Sequence, residues 1–264
     1  MGSVAQRIEQ VRAEGRAALV GYLPVGYPTV EGSVEAMRAM VAGGVDVVEI
    51  GLPYSDPLMD GPVIQRATQQ ALDNGARSRD AFTAVRAVVD AGAPALVMTY
   101  WNLIDRYGIE RFAADLAAAG GSGLITPDLL PDDCEDWLTA SESHDLDRVF
   151  LVAQTTTPER MRMTVEASRG FLYAASLMGV TGVRSVGVEA RDLVARAREV
   201  ATLPVCVGLG VRTAEQAADV AGYADGVIVG TAFVQALESG GPSAVESLAR
   251  ELAEGVRAAE RVSA

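Results

Sequence analysis

Two carboxylates, Glu49 and Asp60, lie in one stretch, VDVVEIGLPYSDPLMDGPVIQ, residues 45–65. Paired acids can perform general acid-base work when their surroundings separate their pKa values, so that one donates a proton while the other stays ionised. Val45, Val47, Val48 and Ile50 read as a strand buried on both faces, the pattern of a wholly parallel sheet. Glu49 interrupts that strand near its end. An ionised carboxylate there must be paired, hydrogen-bonded or shifted toward its neutral form. A strand-terminal Glu whose head reaches solvent is the other reading the strand permits. Beyond it, Gly51, Pro53, Ser55, Asp56, Pro57, Asp60, Gly61 and Pro62 are too dense for a helix or strand. They predict an ordered loop of unusual length, a feature that in compact domains usually carries function.

The remaining residues narrow the chemistry. All 22 basic residues of the 264-residue chain are Arg, which excludes a lysine Schiff base, a lysine-anchored pyridoxal phosphate and a Walker-type phosphate lysine. A phosphate would have to be held by backbone amides, helix ends or Arg. The single histidine, His144 in the polar run SESHDLD, reads as a solvated loop residue, so a zinc site or a Ser-His-Asp triad is not expected. Cys134 and Cys206 match no metal or redox spacing and read as reduced, partly buried thiols. The formal charge of -13 argues against nucleic acid and anionic membranes as partners. No apolar run approaches a membrane span, and residues 1–15 lack the apolar centre of a signal peptide, so a cytoplasmic protein is expected.

The elements that must position the acids repeat one pattern: a short apolar strand, a loop, an amphipathic helix. After a helix near residues 4–14, strands are predicted at 18–23, 45–50, 95–100, 123–126, 149–153, 171–175, 204–210 and 226–230. Helices are predicted through 34–42, 62–73, 79–91 and 109–119. Eight such units without a linker or composition break predict a single domain, 1–264, folded as a closed (β/α)8 TIM barrel. An open doubly wound sheet is the alternative, but GYLPVGYP after the first strand is not its glycine fingerprint.

Barrel active sites gather at the C-terminal strand ends, with phosphate commonly at the loops after strands seven and eight. Gly208-Leu209-Gly210 and Gly230-Thr231 occupy those places, and TAFVQALES from Thr231 reads as a short extra helix whose amides could face an anion. Gly179, Thr181 and Gly182 supply a third loop after strand six. Each glycine alone also fits plain turn geometry; together they suggest a backbone-made phosphate cradle.

EIGLPYSDPLMDGPVIQ, followed downstream by GVTG, GLGV and GTAFV, resembles the family of tryptophan synthase alpha subunits over nearly the whole chain. The first segment is the specific one. The resemblance implies a (β/α)8 barrel that cleaves indole-3-glycerol phosphate to indole and glyceraldehyde 3-phosphate. It implies Glu49 as a proton shuttle, acid toward indole C3 and base toward the glycerol hydroxyl, and Asp60 as the carboxylate facing the indole nitrogen. Glu49 should be raised in pKa by its apolar strand, and Asp60 in a polar loop should stay ionised.

Further positions follow by motif. Tyr100 and Tyr173 match pocket tyrosines, with barrel packing as their other reading, and Gly182, Gly210, Gly230 and Thr231 match the phosphate-holding residues. Thr181 matches a loop residue that closes toward Asp60, and Asp128 is expected to make structural hydrogen bonds. Tyr22, the GYP at 26–28, Thr231 and PDLLP depart from the commoner family residues. The resemblance also implies a pyridoxal-phosphate beta subunit in an α2β2 assembly, docked near Ser55, Asp56, Pro57, Leu58, Trp101 and Asn102, with no cofactor in this chain. For Trp101, a cap over the barrel core is the alternative. Other phosphate-binding barrels, a phosphosugar isomerase or an indoleglycerol phosphate synthase, remain open, although the synthase expects a catalytic Lys. So does a barrel that only activates a partner.

Overall fold

The computed structural model of the chain describes residues 4–175, 186–208 and 210–259. In these residues eight parallel strands close on themselves in sequence order, β8 pairing with β1. The strands are β1 (Ala18–Pro24), β2 (Val47–Gly51), β3 (Ala95–Met98), β4 (Gly123–Thr126), β5 (Asp147–Val152), β6 (Leu172–Ala175), β7 (Val205–Gly208) and β8 (Gly226–Val229). The helices are α1 (Val4–Ala13), α2 (Val30–Gly43), α3 (Pro62–Asp73), α4 (Ser78–Asp90), α5 (Trp101–Tyr107), α6 (Ile109–Ala118), α7 (Glu135–Ser143), α8 (Pro158–Ala167), α9 (Val186–Arg198), α10 (Ala214–Ala221) and α11 (Thr231–Ala258). None of them is long and apolar enough to cross a membrane.

Strand alternation divides the apolar residues into two cores. On β2, Val48 and Ile50 pack outward under the helices, whereas Val47 belongs to the barrel interior with Ala18, Val20, Leu96, Ile125, Val149, Phe171, Cys206 and Ile228. Val4, Ile8 and Val11 of α1 join that interior set and stop the N-terminal mouth. Burial of this interior leaves the opposite mouth as the place where polar side chains can meet a ligand.

Several boundaries differ from the sequence reading for local reasons. Helix α2 starts at Val30 because Thr29 caps it, its hydroxyl accepting from the Gly32 amide at 3.0 Å. The expected strand to Tyr100 stops at Met98, and Trp101 opens the short helix α5 because the Asp128 carboxylate accepts from the Trp101 amide at 2.9 and 3.1 Å. That is the structural role expected of Asp128. The helix expected after β8 ends where Gly240 and Gly241 leave helical geometry before Pro242. From there α11 continues and packs on α2. Both cysteines are free and fully buried, deeper than expected. His144 caps the end of α7, with Nε2 at 2.7 Å from Glu110.

Candidate active site

The C-terminal mouth holds a cavity of about 530 Å³ whose floor includes Glu49, Tyr22, Tyr173, Met98, Leu151 and Ile228. Its walls include Asp60 and the start of α3 on one side, and Gly208, Gly210, Gly230 and Thr231 on the other. The expected catalytic pair and the described part of the expected phosphate rim therefore share one cavity. Thr181 and Gly182, expected to complete that rim, lie outside the described residues, as does Gly179.

Glu49 is completely buried, and neither carboxylate oxygen has a hydrogen-bond partner among the described residues. Burial alone pushes its pKa to about 8, so at neutral pH the group is a protonated acid. The solvent-reaching alternative for this strand end is thereby excluded. In the β1–β2 register Glu49 lies beside Tyr22, whose ring crosses the face of Gly51. A Cβ at Gly51 would stand 2.3 Å from the Tyr22 hydroxyl, so glycine is required there. Tyr173 occupies the face of Gly208 in the same way. Both phenols are held in their neutral form chiefly by burial.

Asp60 ends the loop between β2 and α3. The Leu52 amide binds the Met98 carbonyl at 3.0 Å, and Gln65 Nε2 donates to the Asp60 carbonyl at 2.8 Å, so the loop is fastened at both ends. The Tyr100 hydroxyl accepts from the Met59 amide at 2.9 Å and reaches Asp60 Oδ2 at 3.4 Å. Tyr100 thus stands behind Asp60 and orients it. The polar-loop expectation understated the environment of Asp60: partial burial raises its pKa, an effect that the Tyr100 hydrogen bond opposes. It still differs from Glu49, which has no such donor among the described residues.

Across the mouth, Gly210 has φ +67°, with open space where a side chain would point, a conformation that suits glycine. Gly230 precedes α11 without a side-chain cap, so no side chain of its own occupies the first-turn amides. Arg212 also lines the cavity. The sequence reading required Arg, amides or helix ends for any phosphate but named no Arg. The available signal was proximity to the glycine loop after β7.

The expected docking residues sit on the same rim. Ser55, Asp56, Leu58 and Asn102 are exposed, with Leu58 at 84% and its neighbour Met59 at 47%. Pro57 and Trp101 are half-buried, and Trp101 meets Trp137 of α7 edge-on at 6.5 Å, among the residues packed under the helices.

Fold and site define an acid-base enzyme on a (β/α)8 barrel, with one neutral buried acid opposite a second, partly solvated one. Residues 8–262 match the family model of the tryptophan synthase alpha chain. The tryptophan synthase alpha chain of Mycobacterium avium (strain 104) is 61% identical over 250 residues, covering 94% of this chain and 92% of that one. The corresponding chain of Thermobifida fusca (strain YX) is 56% identical, covering 99% and 100%. The solved aminoacrylate-bound tryptophan synthase from M. tuberculosis aligns at a TM-score of 0.91 and 56% identity, over 97% of this chain and 100% of that one. This chain belongs to the tryptophan synthase alpha chain family. It is a lyase of tryptophan biosynthesis that cleaves indole-3-glycerol phosphate in the alpha reaction.

Proposed function

We propose that Glu49 and Asp60 divide the cleavage between them. The observation that carries this reading is the fully buried Glu49 carboxyl, without a hydrogen-bond partner among the described residues and opening into the same cavity as Asp60. Neutral Glu49 gives its proton to indole C3, and the carboxylate so formed takes the proton of the glycerol hydroxyl as the carbon-carbon bond breaks. The bonding electrons flow into the indoleninium ring, indole leaves, the hydroxyl carbon becomes the aldehyde, and Glu49 ends protonated as it began. Asp60, ionised, stabilises positive charge at the indole nitrogen through this sequence. Tyr173 bounds the ring pocket and Tyr100 holds Asp60. Gly182, Gly210, Gly230 and Thr231 bind the phosphate.

The chain works in the cytoplasm without a cofactor of its own. Its partner is a pyridoxal-phosphate beta subunit that consumes the indole, in an α2β2 assembly docked on the rim that includes Ser55, Asp56, Pro57, Leu58, Trp101 and Asn102. Exposed Leu58 and Met59 support that placement, since apolar rim residues next to a substrate mouth favour a protein partner.

Indole release from indole-3-glycerol phosphate, with and without the beta subunit, tests the reading in wild type, Glu49→Gln and Asp60→Asn. The expected result is loss of turnover in both variants and acceleration of wild type by the partner. Near-wild-type rates for Glu49→Gln would remove it as the shuttle.

A further inference from the structure

We propose that Arg212 is the cationic contact for the phosphate of the substrate. The proposal rests on the phosphate site assigned above. Arg212 follows Gly210 in the loop after β7, and its side chain is exposed at the cavity wall that also contains Gly230 and Thr231. Its backbone is fixed: Val211 is buried beneath it, and the Arg212 amide donates to Gln216 Oε1 at 2.8 Å. Its guanidinium has no ion pair or hydrogen bond among the described residues, whereas many other arginines here are paired with acids.

The charge of the site calls for such a group. A phosphate monoester carries close to two negative charges at neutral pH. The cavity offers it Glu49, Asp60 and neutral phenols, and Arg212 is the one cationic side chain lining it among the described residues. Backbone amides at Gly210 and the start of α11 supply directed hydrogen bonds but no net charge. The chain as a whole carries a formal charge of -13 and so repels an anionic substrate at a distance. A planar guanidinium at the mouth can grip two phosphate oxygens at once, which an ammonium group cannot do with the same geometry. The lack of lysine makes Arg the side chain available for this purpose.

Steady-state kinetics of Arg212→Gln and Arg212→Lys on indole-3-glycerol phosphate test the assignment, with inorganic phosphate and indole as competing ligands. Arg212→Gln is expected to raise the KM for indole-3-glycerol phosphate and the Ki of inorganic phosphate roughly tenfold each, with a much smaller effect on kcat. The Ki of indole, which lacks phosphate, stays at its wild-type value. The rise of KM with salt flattens in this variant, and Arg212→Lys recovers part of the loss. Equal inhibition of wild type and Arg212→Gln by inorganic phosphate overturns the proposal, as does a parallel weakening of indole and phosphate. If inorganic phosphate does not compete with substrate in wild type, the phosphate site itself fails, a result distinct from the failure of Arg212 alone.

Discussion

The two mouths of the barrel treat the same side chain in opposite ways. At the N-terminal mouth, Asp46 just before β2 accepts from the Leu19 amide at 2.9 Å and is held by Arg7 at 2.7 Å and Arg16 at 2.6 Å. Asp225 before β8 is bound by the Val205 amide at 3.0 Å, Arg198 at 3.3 Å and Arg12 at 3.4 Å. At the C-terminal mouth, Glu49 stands on β2, the strand that Asp46 precedes, with both oxygens unsatisfied among the described residues. The difference fits the proposed division of labour: Asp46 and Asp225 lock strand starts and the α1 plug, and Glu49 faces the cavity proposed for the substrate.

Exchange of the Glu49 carboxyl for an amide should produce the largest effect and expose both sides of this division. Glu49→Gln removes the shuttled proton, with an expected loss on the order of 10³-fold in kcat. The same change should help the fold. A carboxyl raised from 4.5 to about 8 is protonated in the folded chain while the unfolded chain ionises, so wild-type stability falls as pH rises through that window. The amide has no such dependence. Urea unfolding should therefore show the stability of Glu49→Gln relative to wild type rising by about 2 to 3 kcal/mol between pH 5 and pH 7. A flat difference would mean that the acid is satisfied in solution and that the two mouths do not differ as described.

Asp46→Ala probes the other mouth. It removes the ion pair of Arg7 and one of the two acidic partners of Arg16, which keeps Glu14 at 2.8 Å, and it leaves the buried Leu19 amide without its acceptor. Because Arg7 and Arg16 keep some exposure, the expected loss is about 2 to 3 kcal/mol rather than that of a wholly buried network. The chemistry should be spared: kcat and the pH profile of the folded variant should match wild type. A shifted profile would join the two mouths into one electrostatic unit.

The sequence carries much of this contrast, though unevenly. The apolar strand around Glu49 leaves it, from sequence, either a buried acid or one reaching solvent at the strand end; the fold decides between them by turning Glu49 inward with Val47 while Val48 and Ile50 share the other face. Glycine placement after β7 and β8 marks the opposite wall of the cavity. What escapes is what depends on contacts across the chain. Met98 ends its strand because Asp128, beyond the next strand, caps α5. Asp60 looks solvated in its polar loop, yet folding tucks it beside Tyr100 and raises its pKa. Arg212 is one of 22 arginines until the barrel brings it to the cavity wall.

Asp147 offers the finest test, since it belongs to the N-terminal mouth but shares a trait with Glu49. At the start of β5, its Oδ2 accepts from the Val4 amide at 2.9 Å, tying α1 to the barrel, while Oδ1 has no hydrogen-bond partner among the described residues and Arg169 Nε stands 3.4 Å away. Burial raises its pKa to about 6, against the opposing pull of the Val4 amide and Arg169. Its contribution to stability is therefore lost as pH rises from the ordinary carboxylate range through about 6, the same direction as for Glu49 over a narrower window. Asp147→Asn keeps an acceptor for Val4 and removes the titration. Relative to wild type its stability should rise by about 1 kcal/mol between pH 5 and pH 7, with catalysis unchanged, as read from paired urea curves and indole release. If the rise equals that of Glu49→Gln, incomplete satisfaction is a general property of this barrel's buried acids; if it is absent, Arg169 completes the pairing and unsatisfied acids are confined to the catalytic mouth.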